Sequence, residues 1–134
     1  MSTLKVNNLQ DINGANNSTP EQVAQGRAKA WVNFDGAGTL TSSDQTGVRD
    51  SFNISSVIDV AAGVYTVNID TDMSDTNYVV VGCVEHNTSN NQTSEVLTLF
   101  DPSTKTVGSF KVRTGQSEQN VAKDLNSNVV VFGD

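Results

Sequence analysis

Acyl-transfer chemistry needs a nucleophile, a base and a group that orients the base, and the only histidine, His86, would have to be that base. It stands in Glu85-His86-Asn87-Thr88, and no Gly-x-Ser-x-Gly elbow or other nucleophile motif accompanies it. Cys83 and His86 are too few and too close together for a zinc site, which takes four ligands in structural centres and three in catalytic ones. Fifteen acidic residues could supply the carboxylate pair of a glycosidase from distant strands. Solvated surface carboxylates account for nearly all of them, so a carbohydrate-active enzyme is the weakest reading. No catalytic residue and no cofactor is expected. Asp70-Thr71-Asp72-Met73-Ser74-Asp75 spaces its carboxylates like a calcium loop. The EF-hand pattern fails, because the sixth position is Asp75 where glycine is needed and the twelfth is Val81 where glutamate is needed. Two readings stay open for Asp70, Asp72 and Asp75: a calcium site of another kind, or an acidic turn joining two strands.

Binding chemistry has more candidates. His86, Asn87, Thr88, Ser89, Asn90, Asn91 and Gln92 open an entirely polar stretch that runs to Ser94 and is longer than a tight turn. Thr114–Asn120 is a second such stretch. Loops on a rigid scaffold commonly carry binding function, and residues 86–92 form the candidate contact loop; a plainly solvated loop is the competing reading. Trp31, the only tryptophan, is either an inter-sheet core aromatic or the anchor of a subunit interface.

The elements that must position these residues are short strands. Val32 and Phe34 share one face, with Lys29, Trp31 and Asn33 on the other. Phe52 and Ile54 alternate with Ser51 and Asn53, and Tyr65, Val67 and Ile69 alternate with Thr66, Asn68 and Asp70, a period of two. Tyr78–Val84 is apolar on both faces and predicts a central strand covered on both sides, with Cys83 a buried thiol acting as a small hydrophobe. Glu95–Phe100 and Val107–Arg113 flank the turn Asp101-Pro102-Ser103-Thr104-Lys105-Thr106 and predict a hairpin. Asn128–Phe132 is a last apolar strand. About eight strands parted by Gly, Asn, Asp and Ser predict an all-β, antiparallel β-sandwich or jelly-roll-like domain over residues 27–134.

Residues 1–26 form a separate zone, polar and rich in Asn, with apolar residues only thinly spaced at Leu4, Val6, Leu9 and Ile12. Thr19-Pro20-Glu21-Gln22 predicts a capped helix start, and Gly26 a stop. A helix of under two turns does not persist without packing. The segment therefore lies against the β domain, or docks through Leu4, Val6, Leu9 and Ile12 on other copies or another protein.

Composition narrows the function classes. A chain of 134 residues with a 36% hydrophobic fraction supports one modest core. Its net charge of −7 comes without any basic cluster, so nucleic acid is not an expected partner. A single cysteine leaves no intramolecular disulfide. The N-terminus has no apolar signal region, and no run reaches the length of a membrane-spanning helix, so neither signal-directed export nor membrane insertion is expected. The Asn-x-Ser/Thr triplets are then chance matches in an Asn-, Ser- and Thr-rich chain.

Four stretches follow one another along the chain: Ala28-Lys29-Ala30-Trp31-Val32-Asn33-Phe34-Asp35-Gly36, Arg49-Asp50-Ser51-Phe52-Asn53-Ile54-Ser55-Ser56-Val57-Ile58-Asp59, Gly63-Val64-Tyr65-Thr66-Val67-Asn68 and Asp75-Thr76-Asn77-Tyr78-Val79-Val80-Val81-Gly82. The series, spanning about residues 27–85, resembles a domain of tail-fibre and related virion proteins of tailed bacteriophages. The resemblance implies a non-enzymatic virion protein, assembled in the host cytoplasm. It implies a tail-fibre or tail-tip component, trimeric as such fibres commonly are, whose polar loops meet a host glycan or protein receptor. With one such module after Met1, no heptad region and no shaft repeat, a capsid or tail decoration protein anchored to other virion proteins by residues 1–26 is the alternative.

Overall fold

The computed structural model describes residues 2–15, 17–85, 95–117 and 121–133. The chain is an all-β sandwich of two antiparallel sheets, 45% strand and 8% helix. One helix, α1 (Pro20–Gly26), precedes β1 (Ala30–Phe34), β2 (Val48–Phe52), β3 (Ile54–Ala61), β4 (Val64–Ile69), β5 (Val79–Val84), β6 (Glu95–Leu99), β7 (Ser109–Gln116), β8 (Val121–Ala122) and β9 (Ser127–Phe132). The first sheet runs in the order β2-β1-β9-β5; the second runs β3-β4-β7-β6, with β8 added on β7. The expected hairpin is present as β6 and β7, joined through a 3-10 turn at Pro102–Thr104.

Period-two alternation builds the core directly. Ala30, Val32 and Phe34 of β1 and Val129 and Val131 of β9 point inward from one sheet. Val57, Tyr65, Val67, Ile69, Phe110 and Val112 meet them from the other, and Leu40, Met73 and Tyr78 close the ends. Each large side chain so buried contributes about 1.5–3 kcal/mol relative to exposure.

Asn53 is the corner between the sheets. The alternation read through Ser51–Ile54 is broken there, because Asn53 adopts φ 54°, a left-handed conformation that Asn tolerates better than most residues. Phe52 consequently ends a strand of one sheet and Ile54 begins a strand of the other. The Asn53 side chain holds the corner: Nδ2 donates to the carbonyls of Lys29 (3.0 Å) and Thr71 (3.1 Å), and Oδ1 accepts from the Thr71 amide (2.7 Å).

A second junction centres on Tyr65. Its ring meets Phe34 edge-on at 5.0 Å between centroids, and its hydroxyl donates to Asp124 Oδ1 at 2.9 Å. The same carboxylate oxygen accepts the Gly63 amide at 2.6 Å. Gly36 lies against this junction, where a Cβ would fall 2.6 Å from the Leu125 carbonyl oxygen as well as onto the Tyr65 hydroxyl.

Two expectations are corrected. Tyr78–Val84 does not form a central strand: β5 is at the edge of its sheet, and β9 lies between β1 and β5. Cys83 is exposed, not buried. Both corrections have one cause. The outward half of the apolar run faces away from the second sheet, and nothing in the described chain covers it.

The helix starts as its sequence implies, with a complete capping box. Gln22 N donates to Thr19 Oγ1 at 3.2 Å, and Thr19 N donates to Gln22 Oε1 at 2.9 Å. Yet α1 contains no buried residue.

Gly36→Ala is expected to lower stability by about 1–3 kcal/mol, since backbone atoms must move. Gly26→Ala, where the added methyl meets open space, should be neutral or stabilising by up to about 1 kcal/mol. Urea denaturation of both variants checks this, and equal midpoints would refute the steric reading. At high pH a second effect enters. Burial, reinforced for Tyr65 by the Asp124 carboxylate, raises the tyrosine pKa values above 10, and that of Tyr78 to about 12. The unfolded chain therefore loses these protons first, and stability falls as pH rises above about 10. The drop in urea midpoint between about pH 8 and about pH 11 should be smaller in Tyr65→Phe than in the parent.

Candidate interaction face

The outward side of the β2-β1-β9-β5 sheet carries the residues that the core does not use. Cross-strand register aligns Phe52, Trp31, Val130 and Val81 in one row over all four strands. Phe132 and Val79 pair beside that row. Phe52, Val79 and Val81 are 54%, 57% and 53% exposed, whereas Trp31, Val130 and Phe132 are half-buried by their neighbours. Water-facing sheet surfaces are ordinarily polar, so a contiguous apolar stripe is a candidate interaction surface.

A polar rim borders the stripe. The next row is Asp50, Asn33, Asn128 and Cys83. Asn33 Nδ2 donates to Asn128 Oδ1. Beyond it, Arg49 Nη1 lies 3.1 Å from Glu85 Oε2, and Asn126 Nδ2 donates to the same oxygen at 3.1 Å. Asn128 Nδ2 reaches Glu85 Oε1 at 3.4 Å, and Arg49 also touches Asn33 Oδ1 at 3.4 Å. Hydrogen bonds from Arg49 and then Asn128 hold the Glu85 carboxyl below its ordinary value of 4.5. The network fixes side chains at the rim and offers a partner both donors and acceptors. An apolar centre with a polar rim is the anatomy of a protein interface.

The sequence-derived candidates fall in different places. Trp31 sits in the middle of the apolar row, outside the inter-sheet core. Leu4, Val6 and Leu9 line an open cleft of about 510 Å³ with Pro20 and Val23, while Ile12 stands fully exposed outside it. Leu9 and Ser18 exchange backbone hydrogen bonds of 2.8 Å in both directions, which folds this segment back on itself. The candidate contact loop His86–Gln92 lies outside the described residues. Asp70, Asp72 and Asp75 are exposed in the turn before β5, and among the described residues no three His, Cys, Asp or Glu side chains converge as a metal site. Asp75 is engaged locally: the Asn77 amide donates to it at 2.6 Å and the Asn77 side chain at 2.7 Å, which hold its carboxyl below the usual range.

Phe52, Val79, Val81, Val130 and Phe132 were not singled out as contact residues from sequence. A signal for Val79, Val81, Val130 and Phe132 exists in the two runs that are apolar on both faces, Tyr78–Val84 and Val129–Phe132, and none exists for Phe52. Comparison with family models, curated proteins and solved structures finds no match.

The lowered pKa of Glu85 fixes a sign. Its contribution to stability is present above about pH 4.5 and is lost as pH falls through the lower value of the folded state. The pair is well exposed, so the effect is small. Glu85→Gln, which holds the side chain in its uncharged form, should therefore lower the melting temperature slightly at about pH 7, leave it unchanged at pH values where Glu85 is already protonated, and so flatten the acid limb of the profile. An unaltered acid limb would show that the rim network does not act on folding.

Proposed function

We propose that this chain is a non-enzymatic structural subunit of a tailed-phage virion, a homo-oligomeric tail-fibre or tail-tip component that contributes to host attachment. One observation carries the assembly part of this reading: the apolar row Phe52–Trp31–Val130–Val81 lies bare on the outside of a rigid sandwich. Contiguous exposed apolar surface of this kind is what a subunit of an assembly would use as its interface. The virion setting rests on the ordered resemblance of residues 27–85. A trimer is the first choice of oligomer, on the same resemblance. Host contact is assigned to the polar loop 86–94.

A second reading, a capsid or tail decoration protein, is favoured by one feature. Residues 2–26 bury no apolar side chain and present Leu4, Leu9 and Ile12 to solvent, as an anchoring segment would.

Quantitative mass spectrometry of purified particles of the phage encoding the chain tests the proposal. Detection at tail stoichiometry, with competition of host adsorption by the free protein, is the expected result. Stoichiometry matching the capsid lattice would establish the decoration role instead. Absence from particles would overturn both.

A further inference from the structure

We propose that Asn13, in the fold-back of the N-terminal segment, is a self-modification site. Water converts it, through the Gly14 amide, to aspartate and isoaspartate, and the isoaspartate form unlocks the segment. The proposal is independent of the function proposed above.

The chain contains one Asn-Gly pair, Asn13-Gly14, and one Asp-Gly pair, Asp35-Gly36. Each can in principle close a cyclic imide, in which the amide nitrogen of the glycine attacks the side-chain carbonyl carbon before it. Glycine favours this step because it has no Cβ to obstruct the approach and leaves the backbone free to rotate. Tertiary structure separates the two pairs. Gly36 is buried, with the Leu125 backbone and the Tyr65 hydroxyl packed against its Cα, so its backbone cannot turn into the geometry of attack. Asn13 and Gly14 are exposed, and a Cβ built on Gly14 meets nothing within 4 Å. Every other asparagine is followed by a residue with a side chain. Asn13 therefore combines an unobstructed neighbour with an accessible backbone.

The reaction needs only water. The Gly14 nitrogen gives its proton to hydroxide and bonds to Cγ of Asn13. The bond from Cγ to Nδ2 breaks, and that nitrogen leaves as ammonia with a proton taken from water. A water molecule then opens the imide. Breaking the new N–Cγ bond yields aspartate, and breaking the original peptide bond yields isoaspartate. In sum a water is consumed and an ammonia released, with no oxidant or reductant.

The turn restrains this reaction and is undone by it. The attacking group, the Gly14 amide, donates to the Asp11 carbonyl at 3.0 Å. Asp11 Oδ1 accepts from the amides of Asn13 (2.9 Å) and Ala15 (2.8 Å). Attack therefore proceeds from the opened turn. Isoaspartate routes the main chain through the side-chain carbon and lengthens it by a methylene, so the same hydrogen bonds cannot re-form together. Either product also sets another carboxylate near that of Asp11, and like charges repel. The turn in its place supports the paired 2.8 Å hydrogen bonds between Leu9 and Ser18. Those bonds keep Leu9 in the cleft with Leu4, Val6, Pro20 and Val23. Conversion at position 13 thus disperses the apolar cluster of the segment.

The full-length chain, held in mildly alkaline buffer, should gain about one dalton by intact mass. Peptide mapping should place that gain at position 13 before any other, and a protein isoaspartate methyltransferase should label the same position and leave position 35 unlabelled. Asn13→Gln, whose longer side chain closes a ring far less readily, should lose both signals. Asp11→Ala removes the two bonds to Oδ1 and should raise the rate at position 13 on the order of three- to tenfold. Both variants lie in a segment that buries no apolar side chain, so each should melt at the parent's temperature. Hydrogen exchange should show the Leu9 and Ser18 amides protected in the parent and released in the isoaspartate form. First modification at another asparagine, a rate that Asp11→Ala leaves unchanged, or Leu9 and Ser18 amides that exchange equally before and after conversion would each overturn the proposal.

Discussion

Tyr65 holds the two sheets at one end by offering three different interactions from one buried side chain. Its ring packs edge-on to Phe34 of the facing sheet, its body fills the core, and its hydroxyl donates to Asp124, which also takes the Gly63 amide. A buried phenol without a partner would cost about 1–3 kcal/mol, so the polar pairing is a condition of placing so large a side chain there. Gly36 must be small to leave room for that hydroxyl and for the Leu125 backbone. Asp124 must follow β8 closely enough to reach Gly63. The spacing of several distant segments is thus tied to one aromatic residue.

At the opposite end the constraint is repeated with different parts. Tyr78 donates to the carbonyls of Thr106 (2.8 Å) and Ser109 (3.0 Å), lies 6.1 Å from Phe110 in an edge arrangement, and has the Lys105 ammonium 4.4 Å above its ring. The Lys105 Nζ also donates to the Tyr78 carbonyl at 2.8 Å. Between these aromatic ends the interior is mostly Val, whose branched side chains suit a pleated sheet. The inner layer is therefore complete without the outward valines and aromatics. That surplus is what gives the outer face its meaning: Phe52, Val79 and Val81 are not spare core residues but a separate apolar surface.

The ordered stretches between residues 27 and 85 acquire a physical reading from this arrangement. Ala30, Val32, Phe34, Tyr65, Val67 and Tyr78 are core positions, Gly36 is a close approach, Asn53 is the corner, and Asp75-Thr76-Asn77 is a locally bonded turn. They specify the sandwich. Trp31, Phe52, Val79 and Val81 are the exceptions, and all four lie on the outward face. A pattern made mainly of folding constraints can persist among proteins with different partners, because the loops and outer faces change without disturbing it.

Alternation of apolar and polar residues, turn chemistry and the capping box by themselves determined the sandwich, most of its strands, the β6–β7 hairpin and the start of α1. These are local signals, set by the period of a strand and by hydrogen bonds spanning a few residues. Tertiary structure alone decided the order of strands within each sheet, because a doubly apolar strand reads the same in the centre of a covered sheet as at the edge of a bare one. It also decided where the alternation breaks: Asn53 turns left-handed because Lys29 and Thr71, far away in sequence, converge on its side chain. The row Phe52–Trp31–Val130–Val81 was illegible for the same reason. Its members come from four strands separated by up to about a hundred residues, and only pairing between those strands brings them into one line.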